Sequence, residues 1–204
     1  MYTYHTKRAF TLVEIIVVLA IIGIVFAEVV NFQVNVVRYN KSAGESLQSA
    51  QDARSILRTM VKELRSVRPG NDGSYPVVVA ATSSIVFYSD IDADGLQEKV
   101  RYYIATTTLK KGVIKPSGSP YSYNSAQESF STLAISIKNA SSTPMFEYFD
   151  TSYTGTSAPL TQPVNVSTVR LVKINLLIDA DPNRSPVPRM YTSQGMLRNL
   201  KDNL

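Results

Sequence analysis

Residues 10–27, FTLVEIIVVLAIIGIVFA, contain one charge, Glu14, in an otherwise almost wholly apolar stretch. As a helix this run is about 27 Å long, close to the roughly 30 Å hydrocarbon core of a bilayer. Its many β-branched residues lower helix propensity in water. In lipid the backbone has no partner but itself, so the helix wins. The stretch therefore predicts a membrane-entering helix rather than a core strand. Glu14 is the exception that needs an explanation. An acid inside such a segment costs about 2.5–3.5 kcal/mol on insertion scales, and less near a helix end. Either it has a functional partner or it is a charge tolerated near the interface.

The flanks narrow the choice. A secretory signal carries a basic region, an apolar run of about 7–15 residues and a small-residue cleavage site after that run. Here the run is longer, and Ala27 leads into Glu28-Val29-Val30 with no such site. A small residue, Ala9, instead precedes the run, directly after Lys7 and Arg8. These two cations favour a cytoplasmic N-terminus and place the C-terminal body on the other side. Arg38 and Lys41 lie beyond the run, so the charge bias is modest.

The segment Lys7-Arg8-Ala9-Phe10-Thr11-Leu12-Val13-Glu14, followed by IIVVLAIIGI, resembles the prepilin leader and N-terminus of type IV pilins and pseudopilins. The resemblance implies cleavage between Ala9 and Phe10 by a prepilin peptidase, and N-methylation of Phe10. It also gives Glu14 a partner, the free amine of Phe10 on a neighbouring subunit during assembly. Other pilin or pseudopilin subunits, the inner-membrane assembly platform and membrane lipid are the implied partners. The implied location is a single-pass membrane protein with a periplasmic or extracellular body, later part of a pilus or pseudopilus. The family usually has Gly where this chain has Ala9, and Ala is small enough for the same site. Major pilins often carry a proline a few residues after the position of Gly23. None occurs here, which fits a minor subunit. Gly23 itself has three open readings: a point of close helix approach, a spot that melts on assembly, or a tolerated small residue.

The helical pattern continues past Ala27. Ala53, Ile56, Leu57, Met60, Val61 and Leu64 recur with the spacing of one helix face. No proline occurs before Pro69, and Arg68-Pro69-Gly70 is a stop. One helix from about Thr11 to about Val67 is expected, on the order of 85 Å long. This gives a leader (1–9), a membrane and assembly helix (10–30), an amphipathic continuation (31–68) and a β-rich head (69–204). Arg54, Arg58, Lys62 and Arg65 form a basic stripe on the continuation. A solvated face is the ordinary reading. A contact with acids of another subunit, or with DNA phosphate, is the sharper one.

Beyond residue 70 the pattern switches to short strands. Tyr75–Ala81, Ser84–Ser89, Lys99–Ala105, Thr132–Lys138, Val166–Ile178 and a last strand near Met190–Leu200 are expected. Leu133, Ile135 and Ile137 are expected on one face of their strand, and Val172, Ile174, Leu176 and Ile178 on one face of theirs. Residues 115–129 and 151–165 read as loops. The fold class is α+β: a long N-terminal helix packed on an antiparallel sheet. That agrees with the pilin fold the leader implies. Asp90-Ile91-Asp92-Ala93-Asp94-Gly95, running into Val100-Arg101-Tyr102-Tyr103, and Thr192 to Leu200 are similar to W-type minor pilins and J-type minor pseudopilins.

The chain has no cysteine, and its one histidine, His5, lies in the expected leader. Thiolate chemistry is excluded, and histidine catalysis and most zinc sites are disfavoured. No phosphate-binding glycine loop or catalytic constellation appears, so an enzyme is not expected. The one candidate cofactor is Ca²⁺. Asp90, Asp92, Asp94 and Gly95 match the opening of a calcium-binding loop, D-x-D-x-D-G. Arg101 stands at the twelfth position, where a bidentate Glu is needed, so Glu98 from the next strand is the substitute ligand. An acidic hairpin turn is the other reading, and Asp179-Ala180-Asp181-Pro182 reads as a second turn. The expected function is a minor type IV pilin or type II secretion pseudopilin. The alternative is a filament subunit that binds DNA or a surface, using the basic stripe or the tyrosine-rich loops (Tyr102, Tyr103, Tyr121, Tyr123). The formal net charge of +5 points weakly the same way.

Overall fold

A computed structural model of the chain describes residues 10–179 and 188–200. The chain divides into two compact units, Met1–Glu45 and Ser46–Leu204. In the first unit, every described residue from Leu12 onward is helical and belongs to α1 (Leu12–Arg65). Every side chain from Phe10 to Lys41 is exposed. From Leu12 to Ala27 the helix is apolar all round apart from Glu14, and a surface of that kind left uncovered by the described residues needs an apolar medium or neighbouring helices.

The second unit contains the rest of α1. Its buried residues include Ala53, Leu57, Met60, Val61 and Leu64, with Ile56 partly buried against them. This is the face that the sequence spacing predicts. The helix packs on two antiparallel sheets, so the architecture is α+β. The first is a five-stranded meander of β1 (Val77–Ala80), β2 (Ser84–Ser89), β3 (Glu98–Ala105), β4 (Thr108–Ile114) and β5 (Ser129–Ala134). The second contains β6 (Phe146–Phe149), β7 (Leu171–Ile178) and β8 (Arg189–Met196). The expectation of a single sheet is therefore amended to two. Tyr148 of β6 ties them together by donating to the Ala81 carbonyl at 2.8 Å. The Ile137 N–H donates to Thr107 O at 2.8 Å, and the Lys138 N–H to Leu177 O at 2.9 Å.

That crossing corrects one strand. Thr132–Lys138 is not a continuous strand, because β5 ends at Ala134 and Ser136 has a positive φ of 59°. The chain turns to leave one sheet for the other. Leu133, Ile135 and Ile137 consequently do not share a face: Ile135 is exposed and Ile137 is buried. In β7, by contrast, Val172, Ile174, Leu176 and Ile178 are all buried, as their alternation predicts. β4 and β6 had no counterpart among the expected strands.

The end of α1 is held by β2 and by the segment that follows β8. Ser89 of β2 donates to the Glu63 carbonyl at 3.1 Å, the Arg68 N–H donates to Tyr88 O at 3.1 Å, and Asn199 donates to Val67 O at 2.8 Å. The bonds to Glu63 O and Val67 O take up carbonyls at the helix end, and the Arg68 N–H continues the chain into a bond with β2. Beneath this last stretch lies a buried polar cluster. Glu63 accepts from the Tyr102 hydroxyl at 2.7 Å and from Lys111 Nζ at 2.6 Å. Burial first, and then the Glu63 charge and hydrogen bond, push the Tyr102 hydroxyl far above its ordinary range, so it stays a donor.

Gly195 of β8 lies where this helix crosses. A Cβ built there would sit 3.3 Å from Leu64 Cβ and 3.8 Å from Val61 Cα. Gly195→Val is therefore expected to destabilise the second unit by about 1–3 kcal/mol, since a packed interface has no room for added methyls. A thermal melt unchanged from wild type would contradict this close approach.

Candidate functional site

The helix begins with a capping arrangement. Thr11 precedes α1; its hydroxyl oxygen accepts from the Glu14 N–H at 3.3 Å, and its carbonyl accepts from the Ile15 N–H at 3.3 Å. Thr11 thus satisfies a helix donor that has no partner within the helix. Glu14 falls in the first turn, where the helix macrodipole favours negative charge. The physical problem posed by an acid in an apolar run is eased by its place at the positive end of the helix. The Thr11-x-x-Glu14 spacing is the sequence sign of such a cap, although sequence reasoning had singled out only the acid. Phe10, just outside the helix, is 75% exposed. Ala9, Lys7 and Arg8 lie outside the described residues.

Among the described residues, one helix, α1, is long and apolar enough to cross a membrane. Its apolar part carries an acid in its first turn and starts beside an exposed aromatic.

Residues 4–27 match the prokaryotic N-terminal methylation motif. No curated protein matches the chain. The matched residues take in positions 4–9, the Ala9–Phe10 junction, Glu14 and the whole apolar run to Ala27. Such a motif is a type IV pilin-like prepilin cleavage site, and with the apolar helix it fits a membrane-anchored pilin-like chain.

Beyond the methylation motif, the hairpin between β2 and β3 carries three aspartates, Asp90, Asp92 and Asp94. Asp90 closes it by accepting from the Ala93 N–H at 2.7 Å and the Gly95 N–H at 3.1 Å. Ala93 and Gly95 have positive φ angles of 63° and 89°. The resulting turn brings one carboxylate oxygen each from Asp90, Asp92 and Glu98 to within 4.8 Å of one another. Asp94 is not part of this trio, and its Oδ1 accepts from the Leu96 N–H at 2.8 Å. Lys115, just past β4, forms an ion pair with Asp92. That hydrogen bond is the main cause that holds the Asp92 carboxyl below its usual range. Sequence reasoning missed Lys115, because only the β3–β4 register, which pairs Lys99 with Ile114, brings it near.

The other candidates separate. Arg54, Arg58, Lys62 and Arg65 are all exposed, and among the described residues none of them forms an ion pair. The four tyrosines do not form one loop surface. Tyr102 is buried in β3 and bonded to Glu63, and Tyr103, also in β3, stacks under the Arg101 guanidinium at 4.4 Å. Tyr123 donates to Gln97 O at 2.6 Å, which leaves Tyr121 as the exposed one. The expectation of a tyrosine-rich binding loop is corrected accordingly. Residues 180–182 of the second acidic turn lie outside the described residues.

Proposed function

We propose that the chain is a minor subunit of a type IV pilus or type II secretion pseudopilus, stored in the membrane and incorporated into a filament after processing. One observation carries the reading: the methylation motif runs without a break into a helix exposed from Phe10 to Lys41, with Glu14 in its first turn. Such a surface is suited first to lipid and then to packing against identical or related helices. A prepilin peptidase cuts between Ala9 and Phe10, and Phe10 becomes the methylated N-terminus. Glu14 then pairs with the Phe10 amine of a neighbour. Motor proteins and the inner-membrane platform provide the work of extraction, and the head stays on the outer face. The absence of proline between Gly23 and Asn31 supports a minor rather than a main filament subunit.

Mass spectrometry of the mature N-terminus in membrane extracts tests this directly. A chain beginning at N-methylated Phe10 is expected. A chain beginning at Met1, or one cut after Ala27, would overturn the proposal, because an uncut anchor or an ordinary signal peptide cannot enter that pathway.

A further inference from the structure

The β2–β3 hairpin holds more negative charge than its own hydrogen bonds use. Glu98 is fully buried at the start of β3. Its Oε2 accepts from the Ile91 N–H at 3.0 Å, but its Oε1 accepts no hydrogen bond. A buried carboxylate oxygen with no donor is a costly arrangement, and this one belongs to a group that also faces Asp90 and Asp92. Burial, followed by the charges of Asp92 and Asp94, raises the Glu98 pKa above the ordinary carboxylate range. Among the described residues, the ammonium that reaches the trio is that of Lys115, which pairs with Asp92 and is 65% exposed, so it is free to swing away.

We propose that Asp90, Asp92 and Glu98 bind a calcium ion, which displaces Lys115 from Asp92. Calcium takes oxygen ligands at about 2.3–2.6 Å and tolerates irregular geometry. Oxygens bound to one such ion stand up to about 4.8 Å apart, and one oxygen from each of the three carboxylates lies within 4.8 Å of the others. The smaller magnesium ion, at about 2.0–2.1 Å, would need a tighter octahedral cage. The site is not an EF-hand. At the position of the bidentate Glu stands Arg101, which forms a two-point ion pair with Glu128 at 2.9 and 2.8 Å. Glu98 supplies the third carboxylate from a strand instead, and bound calcium gives its unused oxygen a partner.

Isothermal titration of the full-length protein in detergent micelles with CaCl₂ tests the proposal. One ion per chain is expected, with Kd on the order of 10⁻⁴–10⁻³ M, the range of extracellular calcium modules. MgCl₂ should bind at least about tenfold more weakly. Asp92→Asn, on an exposed side chain, and Glu98→Gln should each weaken calcium binding by about tenfold or more. Lys115→Met should tighten it a few-fold by removing the competing ammonium. A melt in EDTA checks that each variant is folded, and if Glu98→Gln is not, Asp92→Asn and Lys115→Met decide. Absence of saturable binding up to about 10 mM CaCl₂, or unchanged binding in the folded carboxylate variants, would overturn the site. Unchanged binding in Lys115→Met would overturn the displacement of Lys115.

Discussion

Replacing Glu14 with leucine is expected to leave membrane insertion intact and to reduce the amount of the chain in sheared filaments by at least about tenfold. The two effects separate because they depend on different environments. For insertion, Glu14 is a burden of up to about 2.5–3.5 kcal/mol, and leucine removes it. The helix start survives, because the Thr11 hydroxyl bonds to the backbone N–H of residue 14 and not to its side chain. For assembly, the acid is the one negative group in the run from Phe10 to Ala27. A close charge pair in a desolvated interface has measured couplings of about 1.5–7 kcal/mol, and about 1.4 kcal/mol already corresponds to tenfold. Glu14→Gln should fall close to leucine, and Glu14→Asp between them and wild type. Quantitative immunoblots of membrane and filament fractions provide the check. Wild-type amounts of the leucine variant in filaments would contradict a pairing role for Glu14.

The second large effect concerns Glu63. Glu63→Ala is expected to destabilise the head by about 3–5 kcal/mol, because it leaves Lys111 as an unpaired, mostly buried charge. The Lys111 and Glu63 side chains are only 13% and 9% exposed. The Tyr102 hydroxyl loses its acceptor at the same time. For a head of this size the melting temperature should fall by about 6–20 °C. Glu63→Leu combined with Lys111→Met and Tyr102→Phe should recover most of the loss, since removing a whole buried polar cluster costs far less than breaking it. Thermal melts of the full-length chain in detergent measure both. A fall of less than about 2 °C for Glu63→Ala would show that the cluster is better solvated than its burial implies.

The parts of the fold written in local periodicity were legible in the sequence. α1 was expected from Thr11 to Val67 and spans Leu12–Arg65. β2 was expected over the residues it occupies, Ser84–Ser89. β4 was missed because Thr108–Ile114 carries Lys110, Lys111 and Gly112 in its middle. Its pairing on both edges, with β3 and β5, holds it in strand form against a weak intrinsic preference. β6 was missed because it is short, Phe146–Phe149, and owes its place to β7. Thr132–Lys138 misled because alternation continued across a change of sheet, marked only by the backbone of Ser136. At the candidate site, Glu98 could be read as a ligand from its spacing, whereas Lys115 depended on register between strands. Glu63 could have been suspected, since it lies three residues after Met60 and next to Leu64 on the buried face.

The clamp on the end of α1 also has a mechanical meaning. A filament subunit is gripped at its apolar helix by neighbours, while drag or cargo acts on its head. Tension between those two grips converges on residues 63–68, where the helix meets the head. There Ser89 and the Tyr88 carbonyl attach the helix end to one sheet, and Asn199 attaches it to the segment that follows the other. The load is thus shared between two anchorages. The β2–β3 hairpin begins at Asp90, directly after the Ser89 anchorage. In the proposed filament role, such wiring divides traction between two attachments rather than concentrating it on one.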